Sequence, residues 1–337
     1  FWGRDLLIGG KLKRDVEESH FFLNNPDQRR INTDQELAKL LEHAVSTVPY
    51  YSKFKGLRDL SEFPILTKEA IKADYDAFFS SRYKIEDLHV MTTTGSYGTP
   101  FKFYLSQQKR RRQLAEIIYF SGWAGYRVGM RYAQMRGTTH TRLKSFLQNE
   151  VLINPWLMDQ KWLDRGRDIL LNEGIRFLFE YPSPMAYLAE YCKSRGDTPD
   201  QFQVIGACTS SENLTAAMKK SISEAFGGII LSRYASQENG VIGHEHPDHG
   251  NKMLINEVDH VIEVLALDSD QPVLPGELGR VVVTDLFSHA QPLIRYDIGD
   301  TAILSVDHSE KSQLRMFDRL EGRIIEAITA TYGTPVS

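Results

Sequence analysis

Between residues 35 and 75 the apolar positions Leu37, Leu40, Leu41, Ala44 and Val45 recur at helical spacing. Thr67 then stands as an N-cap ahead of Ala70, Ile71 and Ala73, so this stretch predicts helices joined by a short connection. Phe101, Phe103 and Leu105 alternate with Lys102 and Tyr104, which predicts a strand, and the residues before it turn between two strands of a hairpin. From Lys109 to Glu224 helical patterns alternate with short apolar runs such as residues 175–179 and 202–205. Strand and helix alternating at this pitch predict a layered α/β core. Beyond Lys252 the texture becomes strand-like, at residues 261–265, 280–284 and 301–304, broken by turns such as Pro275-Gly276. The chain has neither an internal repeat nor a low-complexity tract.

The 337 residues, 42% of them hydrophobic, are enough for one large domain or two or three smaller ones. A net charge of −4 with both signs interspersed gives no electrostatic case for nucleic acid or an anionic membrane as the main partner. The basic run at 109–112 is the exception. It opens a helical pattern and reads first as a solvated helix face, with a place beside bound phosphate groups as the other reading. Two distant cysteines, Cys192 and Cys208, fit a reduced, cytoplasmic setting. No apolar stretch approaches the roughly eighteen residues needed to span a bilayer. The chain opens on Phe1 with neither a charged leader nor a long apolar core, and without an initiator methionine, so further residues are expected before it.

The segment Met91-Thr-Thr-Thr-Gly-Ser-Tyr-Gly-Thr-Pro100 offers the hydroxyls of Thr92, Thr93, Thr94, Ser96 and Thr99. Gly95 and Gly98 permit the backbone turns that aim N–H groups at one point. Such a loop can hold phosphate, although a Ser/Thr/Gly-rich turn is as often plain surface. It is not a P-loop, because no lysine follows the second glycine and the next residues read as a strand. Two further segments stand out: Tyr234-Ala-Ser-Gln-Glu238 after the apolar residues 229–231, and Leu293-Ile-Arg-Tyr-Asp-Ile-Gly-Asp300 after the strand-like 280–284.

In this order and spacing the three segments resemble the adenylate-forming superfamily, with its phosphate loop, its Tyr-Gly-x-Thr-Glu motif and its Tyr-Arg-x-Gly-Asp motif. Val48-Pro-Tyr-Tyr51, Phe63-Pro-Ile-Leu-Thr-Lys68, Tyr181-Pro-Ser183, Pro292-Leu-Ile-Arg-Tyr296 and Glu321-Gly-Arg323 are similar to the phenylacetate-CoA ligase branch, and resemble most its members found in polysaccharide or capsule biosynthesis. The chain departs from the family pattern at Tyr97, Ala235, Gln237 and Glu326. The resemblance implies an α/β fold of two layered subdomains and a smaller β-rich one. The layered core would span 1–250, the β-rich part 251–322, and 323–337 would lead as a hinge toward a C-terminal lid. That lid and its catalytic lysine would lie outside these residues, leaving the chain on its own an incomplete enzyme.

By the same resemblance ATP and Mg²⁺ are the cofactors, and a small carboxylic acid is the substrate. The acyl group would pass to coenzyme A or to an amine or hydroxyl acceptor, and a homodimer is open. Thr93, Thr94, Gly95, Ser96, Gly98 and Thr99 would wrap the β- and γ-phosphates. Glu238 would hold Mg²⁺, Tyr234 would face adenine, and Ser211, Glu212 and Asn213 would run along the adenine edge. Asp300 would accept from both ribose hydroxyls, and Arg323 would touch the ribose or the α-phosphate. Thr94, Glu238 and Arg323 are the catalytic candidates. Each has a plainer alternative: a solvated or paired glutamate, a core tyrosine, a turn aspartate. Arg295 reads as a structural ion-pair partner. The acid would sit near Trp123, Glu180, Tyr181, Pro182, Ala207 and Cys208, of which Trp123 and Tyr181 serve equally well as core. His244, His246 and His249 are close enough together to ligate zinc, but Pro247 and Gly250 favour a solvated loop. Two other functions remain open on this fold, a lidless binding protein and an enzyme that transfers AMP to a hydroxyl.

Overall fold

The computed structural model describes residues 5–6, 9–93, 101–137, 141–307 and 313–323. The chain enters through helices α1 (Lys11–Asn24) and α2 (Pro26–Thr47), the latter opened by a proline at its first helical position, where no N–H is missed. Helix α3 (Lys68–Ala73) begins where Thr67 Oγ1 accepts from the Ala70 N–H, as the sequence predicts. Strands β1 (His89–Thr93) and β2 (Phe101–Leu105) form the predicted antiparallel hairpin. Ser106 then caps α4 (Gln107–Ser121).

Next come β3 (Tyr132–Met135), α5 (Arg142–Gln148), β4 (Glu150–Leu152), α6 (Gln160–Asn172) and β5 (Phe177–Glu180). They are followed by α7 (Pro182–Ser194), β6 (Gly206–Thr209), α8 (Ala216–Phe226) and β7 (Ile229–Ser236). Helical crossovers make β4, β3, β5, β6 and β7 parallel neighbours. The remaining strands are β8 (Gly240–Glu245), β9 (Met253–Ile255), β10 (His260–Leu265), β11 (Leu278–Asp285), β12 (Tyr296–Leu304) and β13 (Met316–Arg323). They continue the same eleven-stranded sheet in the order β7-β8-β9-β13-β12-β11-β10, all antiparallel. The apolar run at 202–205 only leads into β6. That strand opens on Gly206, where a Cβ would lie 2.0 Å from the Ala124 carbonyl oxygen, so only glycine lets the turn after α4 sit directly on it.

Three cores follow from this layout. Leu170, Leu178, Met185, Leu188, Ile222 and Phe226 fill the space between the parallel strands and their crossover helices. Ile242, Ile262, Val264, Val281, Val283 and Phe317 pack the antiparallel part. The third core joins α2 to the hairpin and to the segment before β12, through Leu40, Tyr51, Phe63, Phe101, Phe103, Leu293 and Tyr296.

The basic run on α4 is not a solvated face. Helical spacing turns Lys109 and Arg112 inward together with Gln113 and Glu116, and all four are buried. Lys109 Nζ lies 2.7 Å from Asp285 Oδ2 and donates to the Asn239 carbonyl at 2.7 Å. Arg112 pairs with Asp259 at 2.7 Å and Glu18 at 3.0 Å, its guanidinium 3.7 Å above the Phe287 ring. Arg111 reaches Asp15. Asp285 and Asp259 come from far along the chain and Asp15 and Glu18 from α1, so no local charge pattern announces them. Arg295 is the expected ion-pair partner, held by Glu263 at 2.8 and 3.0 Å.

Lys109→Met leaves Asp285 buried beside an unpaired carbonyl, and should cost about 3–5 kcal/mol of stability in urea unfolding. A change below about 0.5 kcal/mol, the range of an ordinary surface substitution, would show that the pair contributes nothing.

Candidate functional site

Strand β7 is the pivot, parallel to β6 on one side and antiparallel to β8 on the other. In open α/β sheets ligands collect beyond the carboxyl ends of the parallel strands, and there β6 and β7 deliver the residues singled out above. Tyr234, near the end of β7, donates its hydroxyl to Asp300 Oδ2 at 2.8 Å. Asp300 belongs to β12, and β8, β9 and β13 separate the two strands in hydrogen-bonded order. The antiparallel part therefore curls back over β7, helped by register shifts between β12 and β13 near Thr301 and Ile303. Arg323 lies directly opposite Asp300 in the β12–β13 register. Phe317 meets the Tyr234 ring edge-on, 6.0 Å between centroids.

Glu238 occupies the turn between β7 and β8 and is 5% exposed. Burial raises its carboxyl above the ordinary range, and Lys68 on α3 pulls in the opposite direction. Tyr296 donates to Glu238 Oε1 at 3.4 Å. The turn itself is gripped from α4. Gln113 Nε2 donates to the carbonyls of Gln237 at 3.0 Å and Glu238 at 3.3 Å, Lys109 takes that of Asn239, and Glu116 accepts from the Val241 N–H at 2.7 Å. Gly240, at φ +92°, is required here, since a Cβ would sit 2.3 Å from Glu116 Oε2. Burial pushes the Glu116 carboxyl up to about 8, against the pull of Lys109.

Ser211, Glu212 and Asn213 follow β6 as an exposed turn, with Ser211 in the left-handed region at φ 71°. Glu212 accepts from the Ser183 N–H at the start of α7, where a carboxylate is favoured. Thr93 closes β1, while Thr94, Gly95, Ser96, Gly98 and Thr99 lie outside the described residues. The mounting of that loop is visible all the same. Phe101 and Phe103 are buried against Leu293, Ile294 and Tyr296, and Lys68 Nζ stands 5.4 Å over the Phe101 ring. Tyr234, Asp300, Glu238 and the base of the loop thus converge, with Ser211 to Asn213 at the neighbouring strand end. Sequence reasoning assigned no role to Lys68, Gln113 or Tyr296. Lys68 and Tyr296 stood inside quoted motifs, whereas nothing local marks Gln113.

On the other face of the sheet lie Phe177, Phe179, Cys208 and Leu231, with Trp123, Tyr126 and Tyr132 packed on them. Ala207 points away into the core beneath the helices. His244 corrects the expectation of a solvated loop. It is on β8, fully buried, stacked on Phe120 with 5.6 Å between centroids. Its Nδ1 donates to the Glu245 carbonyl at 2.7 Å, so its Nε2, 3.2 Å from Cys208 Sγ, accepts from the thiol. His246 lies edge-on to Trp123 and His249 sits in a short 3-10 turn. Among the described residues no His, Cys, Asp and Glu group has the arrangement of a metal site. β8 runs to Glu245 and so carries His244 into the core, against Phe120 and Cys208.

No family model matches the chain. A phenylacetate-coenzyme A ligase of Thermus thermophilus is 24% identical over 310 residues, covering 83% of this chain and 67% of that protein. Protein CapK of Staphylococcus aureus is 24% identical over 255 residues, 73% of this chain and 54% of its own length. The chain thus spans between about half and two thirds of the curated relatives it matches. Among solved structures, an open form of 2-hydroxyisobutyryl-CoA ligase in complex with its adenylate and CoA superposes with a TM-score of 0.71 at 18% identity, over 88% of this chain and 75% of that one. Fold and relatives together place the chain in the adenylate-forming superfamily. Within it, the chain is similar to the phenylacetate-CoA ligase-like branch.

Burial lowers the His244 pKa to about 3. Unfolded, the ring gains a proton as pH falls below about 6.5, while the native ring stays neutral until about 3. The unfolded state holds more protons throughout that window, so His244 contributes stability above it that is lost as acid is added. Urea unfolding between pH 7.5 and 5 should show a shallower loss for His244→Gln than for the parent chain. Equal slopes would mean that the ring is not held neutral.

Proposed function

We propose that this chain supplies the nucleotide-binding part of an ATP-dependent, AMP-forming carboxylate ligase. The observation that carries the reading is the contact of Tyr234 with Asp300 across three intervening strands, beside a buried Glu238. An aromatic face, a carboxylate able to take two hydroxyl donors and a metal-seeking carboxylate are what a nucleoside triphosphate needs at one place. In the reaction a carboxylate oxygen of the acid attacks the α-phosphorus of ATP, the bond to the bridging oxygen breaks, and pyrophosphate leaves with its electron pair. Alignment of two anions is the main barrier, so positioning and charge stabilisation are the protein's task.

In this reading Thr93, Thr94, Gly95, Ser96, Gly98 and Thr99 hold the β- and γ-phosphates. Tyr234 and residues Ser211 to Asn213 bound the adenine, Asp300 takes the ribose hydroxyls, and Arg323 stands beside them. The division of the chain at 250 and 322 follows the same reading. Glu238 fits a magnesium ion. It is a buried carboxylate whose hydrogen bond from Tyr296 is long at 3.4 Å, and its proton affinity is raised by lack of solvent. When bound, Mg²⁺ would neutralise phosphate charge, and the polyphosphate would complete its coordination. The acyl group then passes to coenzyme A, as the phenylacetate-coenzyme A ligase likeness suggests, or to an amine or hydroxyl acceptor.

Calorimetry of MgATP binding tests the assignment. Asp300→Ala should weaken binding by about 1–3 kcal/mol, the cost of leaving charged hydrogen-bond partners unmatched. Unchanged affinity would remove Asp300 from the site. Glu238→Gln should raise the Mg²⁺ concentration needed for tight ATP binding while leaving metal-free ATP binding alone. In the parent chain that Mg²⁺ requirement should ease as pH rises through the elevated Glu238 range, because only the deprotonated carboxylate binds metal. Identical metal titrations for parent and variant would rule out Glu238 as the ligand.

A further inference from the structure

Arg233 immediately precedes Tyr234 on β7, and strand alternation sends the two side chains to opposite faces. Tyr234 goes to Asp300. Arg233 goes to the face of Leu231, Cys208, Phe177 and Phe179, where aromatic side chains dominate. Its neighbour is Glu180, at the carboxyl end of β5. The register pairs Glu180 with Thr209, so alternation alone would turn it away from the Phe179 face. Its backbone adopts φ 89°, left-handed territory for a non-glycine residue, and the side chain is redirected. Glu180 Oε1 then accepts from Gln134 Nε2 at 3.1 Å and lies 3.5 Å from Arg233 NH2. The Arg233 side chain is only 7% exposed, yet its Nε and NH1 have no acceptor. His244 cannot serve, because its Nε2 already accepts from Cys208.

A buried guanidinium with two idle donors, beside a carboxylate held in a strained backbone, is costly unless something completes the set. Both features lie beyond the carboxyl ends of β3, β5 and β7, the same end of the sheet as the nucleotide residues. We propose that Gln134, Glu180 and Arg233 form the polar end of the acyl pocket, and that the acid taken by this protein bears a hydroxyl on its carbon chain. This inference rests on the ligase reading above. A hydroxyl accepts from Arg233 and donates to Glu180, and adds no charge to a pair that is already neutral. A second carboxylate would face Glu180 at like charge, and a plain hydrocarbon would leave the donors idle. The guest enters from the Glu180 side, where a fifth of that side chain is exposed, and meets the neighbouring guanidinium, two of whose nitrogens have no acceptor.

Binding of 5′-O-sulfamoyladenosine and its N-acyl derivatives, stable mimics of an acyl adenylate, tests this by calorimetry on the chain as it stands. The acyl groups are butyryl, phenylacetyl, succinyl and the three hydroxybutyryl isomers. One hydroxybutyryl compound should bind at least about tenfold more tightly than butyryl, the value of a hydrogen bond to a charged group. Arg233→Met should erase that preference, bringing the ratio of hydroxybutyryl to butyryl affinity down to about one. The ranking on the parent chain decides the matter even if the variant does not fold. Butyryl or phenylacetyl equal to the best hydroxy compound, succinyl binding most tightly, or a hydroxyl preference that survives Arg233→Met would each overturn the proposal. If unacylated sulfamoyladenosine itself fails to bind, the ligase reading falls and takes this one with it. If it binds and only the acyl ranking disagrees, the ligase reading stands alone.

Discussion

Lys109 sits at the junction of three parts of the molecule. Its ammonium lies between the Asp285 carboxylate of β11 and the Asn239 carbonyl of the β7–β8 turn, with Glu116 of its own helix 3.9 Å away. Arg112 repeats the arrangement one turn on, against Asp259 beside β10 and Glu18 of α1. Charges in so dry a place are tolerated only as matched sets. The set therefore fixes where α4 lies against the antiparallel strands, and with it the backbone of residues 237–241. Gln113 and Glu116, carried by the same helix face, hold the remaining polar groups of that turn. Glu238 inherits its position from this framework and owes little to its own hydrogen bonds.

Much of this was legible in the chain, because the informative signals were local. Thr67 capped a helix where it should, the alternation from Phe101 to Leu105 was a strand, and the strand-like texture beyond Lys252 falls on antiparallel strands, although antiparallel pairing begins earlier, between β7 and β8. What failed depended on partners far along the sequence. The basic residues of α4 are neutralised by acids some 150 residues away, and no helical charge rule reaches that far. His244 was misread for a similar reason, since its burial is decided by Phe120 and Cys208, on other elements. Lys68, Gln113 and Tyr296 meet the Glu238 turn only through tertiary packing.

The two faces of β7 divide the chemistry. One face carries Tyr234 to Asp300, the other carries Arg233 to Glu180, and the turn that follows holds Glu238. A strand is well suited to this, because successive residues must diverge while their Cα atoms stay 3.8 Å apart. A nucleotide on one face and an organic acid on the other would then meet at the strand's end without either site being able to drift relative to the other. The register shift between Tyr234 and Ala235 falls at that point.

Tyr296 has a divided allegiance. Its ring is buried among Phe101, Phe103 and Leu293, in the core on which the β1–β2 hairpin rests, while its hydroxyl reaches Glu238. The proton affinity of Glu238 is thus set in part by a side chain whose place is dictated by the hairpin. Whatever shifts the packing of Phe101 and Phe103 against that ring would shift its hydroxyl as well, and so alter how readily the glutamate gives up its proton. The acidity of one carboxyl group becomes a gauge of how the strands of the hairpin are seated.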